Sequence, residues 1–243
     1  MPITKADIKY IKQLQQKKYR KQYGVFVVEG WKSIQDFIKA GYLPQKIYAT
    51  KQPDDFVTDS VESVTGKQLK QISSLQHPKD ALAVFKIQAF DTLPSSGLIL
   101  ALDDLQDPGN LGTIIRTADW FGVRQIVCSE NTVDCYNPKV VQATMGALAN
   151  VSIIYTDLEA YLKQINLPVY GTFLDGENIY KSTLPQEAVM VIGNEGNGIK
   201  PEIAGLTTHK LYIPKATDAI AESLNAAIAT AVVLNEFKRP NMR

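Results

Sequence analysis

Two loops rich in amide, carboxylate and hydroxyl groups are the places where this chain could do chemistry. Gly193-Asn194-Glu195-Gly196-Asn197-Gly198 follows an apolar run ending at Ile192, and Glu222-Ser223-Leu224-Asn225 follows Ile213-Pro214 after a short gap. A third stretch of the same kind runs from Leu100-Ala101-Leu102-Asp103-Asp104 through Asn110 to Arg116. In α/β folds, an apolar strand that ends in such a loop is where ligands bind. Three of them in one chain predict one composite site. No metal is expected there. Cys128 and Cys135 lack Cys or His partners at metal spacing and read as free thiols of a cytosolic protein, and His77 and His209 stand alone.

The glycine-rich loop is not a dinucleotide fingerprint. Its spacing is not G-x-G-x-x-G, and Pro201 and Glu202 follow in place of a long phosphate-facing helix. No lysine sits where a phosphate-binding P-loop needs one, so a nicotinamide-dependent enzyme is disfavoured. A plain tight turn would account for the glycines, but not for the buried approach strand or for Glu195.

The elements that must position these loops follow from periodicity. Apolar runs predict strands at 98–102, 125–129, 152–155, 169–174, 188–192 and 211–213, separated by helices at 112–121, 138–149 and 157–165, with a last helix over 221–238. Short apolar strands with interposed helices indicate a mainly parallel sheet covered on both faces. Upstream, helices at 7–22, 31–40 and 66–72 and strands at 25–28, 46–50 and 81–87 form a small α/β unit. The segment 88–97, with Pro94-Ser95-Ser96-Gly97, is the best linker. The expected domains are therefore 1–90 and 98–243. In the last helix, residues 226–234 are apolar except for Thr230. A helix apolar all round is buried on all sides, which points to a subunit interface as well as a core.

Charge divides the 243 residues unevenly. Residues 1–90 hold 15 Lys/Arg against 8 Asp/Glu, whereas residues 91–243 hold 11 against 17. The first 24 residues alone carry seven basic groups and one acid, with Tyr10, Tyr19 and Tyr23 interleaved. A solvated helix face is one reading. Contact with a polyanion is the other, and aromatic rings that can stack on bases favour nucleic acid. No stretch approaches the roughly 18 uninterrupted apolar residues of a membrane span. The start, Met-Pro-Ile-Thr-Lys-Ala-Asp, shows no secretory h-region, so a cytoplasmic location is expected.

The three stretches together resemble the sequence motifs of the SpoU-type (TrmH-like) RNA ribose methyltransferases, within the SPOUT superfamily. Asp107-Pro108-Gly109-Asn110-Leu111-Gly112-Thr113-Ile114-Ile115-Arg116 is similar to the first motif and Ile192 to Ile199 to the second. Ile213-Pro214 with Glu222-Ser223-Leu224-Asn225 is similar to the third. Lys17-Lys18-Tyr19-Arg20 followed by Gly24-Val25-Phe26-Val27-Val28-Glu29-Gly30 resembles the opening of the family's ribosomal-protein-like substrate-binding domain. In one place the chain departs from the family: the link Lys215 to Ala221 is longer and has no glycine.

The resemblance implies methyl transfer from S-adenosylmethionine to a ribose 2′-hydroxyl of RNA. It also implies a trefoil knot in the C-terminal domain and a homodimer. Ribosomal RNA is expected over transfer RNA because of the basic domain. Backbone groups of Gly193, Ile213 and Leu224 would hold the adenine, Thr172 and Leu174 would line the same pocket, and Asn194 and Gly196 belong to its loop. Arg116 would be the central catalytic group, as general base or as a clamp on an RNA phosphate. Asn110 and Glu195 would hold it, and Ser223 and Asn225 would position substrate. For Asn110, Ser223 and Asn225, capping and turn roles are the competing reading. Lys17, Lys18, Tyr19, Arg20 and Lys21 would contact RNA. A non-catalytic RNA-binding or assembly protein on the same fold is the alternative; loss of Arg116 or Glu195 would have favoured it, and both are present.

Overall fold

The computed structural model describes residues 3–54, 56, 61–90 and 92–241, so Asp91 of the expected linker lies outside the described residues. The elements run α1 (Lys5–Gln13), α2 (Lys17–Tyr23), β1 (Val25–Glu29), α3 (Trp31–Lys39), β2 (Pro44–Ala49), β3 (Val61–Ser63), α4 (Gly66–Ile72) and β4 (Ala81–Lys86). They continue with β5 (Leu98–Leu102), α5 (Pro108–Trp120), β6 (Gln125–Ser129), α6 (Pro138–Thr144), β7 (Ser152–Thr156), α7 (Leu158–Gln164) and β8 (Val169–Asn178). The last are β9 (Ala188–Ile192), α8 (Pro201–Ala204), β10 (His209–Tyr212) and α9 (Ala226–Lys238). Two compact units result: residues 1–89 with 134–149, and residues 90–133 with 150–243.

The first unit is a four-stranded sheet in the order β1-β4-β2-β3, antiparallel except for β2 and β3. Alternate residues face two layers. Val25, Tyr48, Leu82 and Val84 pack with Ile11, Leu14, Leu69 and Ile72 of the α1 and α4 region. On β1 and β4, Phe26 and Phe85 instead meet the rings of Phe37, Tyr42 and Tyr136. Tyr136 comes from the 134–149 segment, which sequence periodicity grouped with the later strands and whose helix α6 packs on β1.

The single helix expected over 7–22 is two helices. α1 starts at a capping box, in which the Thr4 hydroxyl accepts from the Asp7 amide and the Asp7 carboxylate accepts from the Thr4 amide. It stops at Leu14, and Gln16 is extended. Arg20 explains the break. Its guanidinium donates to the carbonyls of Leu14 (2.8 Å) and Gln15 (2.9 Å), which the end of α1 leaves open, and to the Asp134 carboxylate (2.5 Å). Gly24 then closes α2 in the left-handed region, at φ 63°.

The second unit is a six-stranded, wholly parallel sheet ordered β10-β8-β9-β5-β6-β7. Every residue of β5 and β9 is buried, as a sheet covered on both faces requires. Ile99, Ala101, Val127, Val189 and Val191 pack with Leu158, Leu162 and Ile203 of α7 and α8. The next residue along β8 from Val169 is Tyr170, whose ring meets Phe237 of α9 edge-on at 5.4 Å. Helix α9 therefore covers the opposite face, beside α5. It begins at Ala226, not 221: Asn225 is extended and its side-chain oxygen accepts from the Ala227 and Ile228 amides. Nor is α9 buried on all sides, since Ile228 is 53% exposed.

Candidate active site

The site lies at the carboxyl ends of β5, β9 and β10 and is held by hydrogen bonds between their loops. Asp103 is buried; its amide donates to the Ile192 carbonyl (2.9 Å) and its carboxylate accepts from the Lys200 amide (2.8 Å). Burial raises the Asp103 carboxyl above its ordinary value, against the pull of the Lys200 amide and ammonium. Asp104 adopts φ 59°, a left-handed conformation that is uncommon outside glycine. Four contacts hold it there. Its amide donates to Ser129 Oγ (2.8 Å), its carbonyl accepts from Asn194 Nδ2 (2.8 Å), and its carboxylate faces Gln106 Nε2 (2.9 Å) and Lys200 Nζ (3.4 Å).

Asn194 organises the glycine-rich loop. Its backbone exchanges paired 2.9 Å hydrogen bonds with Gly198, while its side-chain oxygen accepts from the amides of Gly196 (2.9 Å) and Asn197 (3.1 Å). This is the turn chemistry that asparagine does well. Gly193 has a stricter requirement. A Cβ there would lie 2.3 Å from the backbone of Gly198 and Ile199, so the loop closes only over a glycine. At Gly196 the nearest atom to such a carbon is 3.6 Å away.

Glu195 then joins this loop to the start of α5. Its carboxylate accepts from the amides of Gln106 (3.4 Å) and Asp107 (3.3 Å) and from Asn110 Nδ2 (2.9 Å). A carboxylate at a helix N-terminus also meets the positive end of the helix dipole. Asn110 passes the connection on: its Oδ1 accepts from Asn225 Nδ2 (2.8 Å), and Asn225 Oδ1 caps α9. Each amide in the row Glu195–Asn110–Asn225 thus has one orientation, and the row ties all three motif loops together.

Beside the row lies a cavity of about 600 Å³. Thr172 and Leu174 of β8 line it, with Gly193 to Ile199, Ile213, Ser223 and Leu224. Thr172, Leu174, Gly193, Asn194, Gly196, Ile213 and Leu224, named from sequence at separated positions, thus border one space. Periodicity gave no sign of Phe173, Tyr212 and Lys215, which share the lining. Nor did it single out Ser129, Thr132 and Lys200, which brace the loops: Ser129 Oγ accepts from the Asp104 amide, Thr132 Oγ1 donates to the Leu102 carbonyl, and the Lys200 amide donates to the Asp103 carboxylate.

Two expected contacts need correction. Asn110 and Glu195 do not hold Arg116; they bond each other. Arg116 lies six residues beyond Asn110, about 120° around the helix and about 9 Å further along it. It is exposed, has no hydrogen-bond or ion partner among the described residues, and shares its helix face with Thr113 and the 81% exposed Trp120. Arg20 is no RNA contact, since its guanidinium is 3% exposed and is spent on the α1–α2 corner. Lys17, Lys18 and Lys21 are exposed, and Lys18 Nζ sits 4.7 Å over the Tyr19 ring.

Known proteins share this fold. Residues 97–235 match the SpoU rRNA Methylase family, and residues 5–83 match an MRM3-like substrate binding domain. The 23S rRNA (guanosine(2553)-2′-O)-methyltransferase RlmP of Bacillus subtilis is 29% identical over 95% of both chains. A TrmH-family structure from Porphyromonas gingivalis is 38% identical, covers 98% of this chain and 99% of its own, and superposes with a TM-score of 0.87. An AdoMet-bound rRNA methyltransferase from Sinorhizobium meliloti is 28% identical over 100% of this chain and 99% of its own, with a TM-score of 0.89. Motif order, site geometry and these likenesses agree: the chain belongs to the SpoU rRNA methylase family.

Proposed function

We propose that this chain is a methyltransferase that uses S-adenosylmethionine and acts on a ribose 2′-hydroxyl of ribosomal RNA. The observation that carries the reading is that the second and third motif loops line one cavity with the β8 residues Thr172 and Leu174, while the Glu195–Asn110–Asn225 row ties the first motif to them. The cavity fits the cofactor. Its volume is that of a small-molecule site, and its lining is mainly apolar with a few polar groups. Backbone groups of Gly193, Ile213 and Leu224 offer a neutral adenine edge donors and acceptors without charge. Lys215 of the longer link and Glu222 of the third motif bring both signs of charge to the lining, which suits a zwitterionic tail.

When bound, the cofactor supplies an electrophilic methyl group. The chain's residues orient the hydroxyl and manage its proton. A guanidinium offers five donors and no acceptor, so Arg116 serves as a clamp on an RNA phosphate, not as a free base. Its exposure and lack of partners suit that task. Ser223, on the cavity lining, positions the ribose, while Asn110, Glu195 and Asn225 keep the loops in place. Residues 1–90 select the RNA and residues 98–243 carry out the transfer. The segment after β10 threads through the preceding loops as a trefoil knot.

The protein acts in the cytoplasm as a homodimer through the α5–α9 side, where Trp120 and Ile228 are exposed. Val233 is fully buried in its own chain, so Ile228→Glu is the substitution that probes the interface. Sedimentation should give a dimer for the parent and a monomer for this variant; a concentration-independent monomer mass for the parent refutes the dimer. For the activity, 2′-O-methylation mapped in ribosomal RNA from cells with and without the gene should differ at one nucleotide. Identical maps, with no calorimetric binding of the cofactor or its demethylated product, would overturn the reading.

A further inference from the structure

The corner between α1 and α2 does more than end a helix. Along a continuous helix, Tyr10 and Tyr23 would stand about 20 Å apart. Here their rings meet edge-on at 5.2 Å, and Tyr19 stacks beside Tyr23 at 6.2 Å with the planes 12° apart. Tyr10 is anchored against the apolar core of its unit, whereas Tyr23 is 41% exposed. A cluster built only for the core would hide its outermost ring. Lys18 adds a cation over the Tyr19 face. On α1 the outward side carries Lys5, Lys9 and Lys12 along a groove of about 480 Å³ with Gln13 and Gln16. The one acid of the first 24 residues, Asp7, is turned to Thr4 and Lys46, and Lys5, Lys9 and Lys12 make no ion pair among the described residues.

We propose that Tyr10, Tyr19 and Tyr23 form a stacking platform for an unpaired RNA nucleotide, with Lys5, Lys9 and Lys12 tracking the flanking phosphates. The proposal rests on the RNA reading of this unit and names the class of RNA: a loop, bulge or single strand in place of a continuous duplex. Rings take any base by its π-face, so the platform is tolerant of sequence, and the phosphate track is sensitive to salt. Arg20 is the positioning residue, because it fixes the corner that brings the rings together.

The test uses the full chain and three labelled probes: oligouridylate, whose bases stack poorly on one another, an abasic ribose-phosphate strand of the same length, and an RNA duplex of that length. Fluorescence anisotropy should rank oligouridylate above both others. Tyr23→Ala should weaken oligouridylate binding about tenfold and leave the abasic strand unchanged, while Tyr23→Phe keeps parent affinity. If Tyr23→Ala lowers the melting temperature, Tyr19→Ala takes its place with the same expectation. Equal affinity for oligouridylate and the abasic strand, preference for the duplex, or tyrosine variants at parent affinity would each overturn the platform. Calorimetry with S-adenosylmethionine on the same preparations separates the two readings. Cofactor binding without a tyrosine effect sinks only the platform, and absent cofactor binding sinks the methyltransferase while the probe ranking stands or falls by itself.

Discussion

Around the cavity, the polar side chains that join the motif loops are committed to one another: Glu195 to the start of α5, Asn110 to Glu195 and Asn225, and Asn194 to its own loop. At the α1–α2 corner the reverse holds. Lys5, Lys9, Lys12, Lys18 and Lys21 make no ion pair among the described residues, and the Arg20 guanidinium is spent internally. The first region fixes geometry with neutral and charge-assisted hydrogen bonds between its own side chains. The second keeps its charge for a partner, and salt screens it strongly. Arg116 and Arg20 invert the pattern, each being the exception in its region. The lone unpartnered arginine of the motif stands beside the rigid row, and the lone buried one braces the open surface.

The largest effect should come from Arg116→Ala. Losing a transition-state contact of this kind costs on the order of 10³-fold in kcat. Single-turnover methylation should fall that far while cofactor affinity and melting temperature stay at parent values, since the side chain is exposed. Near-parent turnover would remove Arg116 from the mechanism. Arg20→Ala should do the opposite, costing about 3–5 kcal/mol of folding stability by leaving the mostly buried Asp134 carboxylate without its partner. Denaturant unfolding would read it, and an unchanged midpoint would return Arg20 to the surface cations.

Gly193→Ala should cost about 1–3 kcal/mol and abolish cofactor binding, because its Cβ meets the Gly198–Ile199 backbone. Gly196→Ala has room and should be close to neutral in both assays. If the two alanines behaved alike, the loop would not be as fixed as described. The smallest effect belongs to the open surface: each of Lys5, Lys9 and Lys12 changed to Gln should flatten the slope of log affinity against log salt by about 0.7 for single strands. A slope unmoved by the triple change would place the phosphates elsewhere.

Much of the second unit was legible because its signals are local. Apolar runs marked β5, β6 and β9. The ends of elements were harder to read. Asp107-Pro108 starts α5 four residues before the expected helix, since glycine at 109 and 112 hides the helical period. β8 runs on to Asn178 because β10 pairs with its far end, where a Cβ at Gly176 would lie 2.5 Å from the Leu211 backbone. Arg20 and Lys18 look alike as letters. Asp134, which separates their roles, is 114 positions from Arg20. The cavity lining was named largely from motif order, whereas the row that fixes it depends on which amide faces which, and only coordinates give that.

The cavity's lining is drawn from residues 172 to 229, in the order in which a ribosome adds them. Its first wall, on β8, exists before the glycine-rich loop, and Ser223 and Leu224 close it last. Synthesis crosses that interval in on the order of seconds. Until then the site lacks its closing wall. Parallel pairing between β8 and β10 adds a slow step at the same moment. Ligand competence is therefore a late event in the life of each molecule.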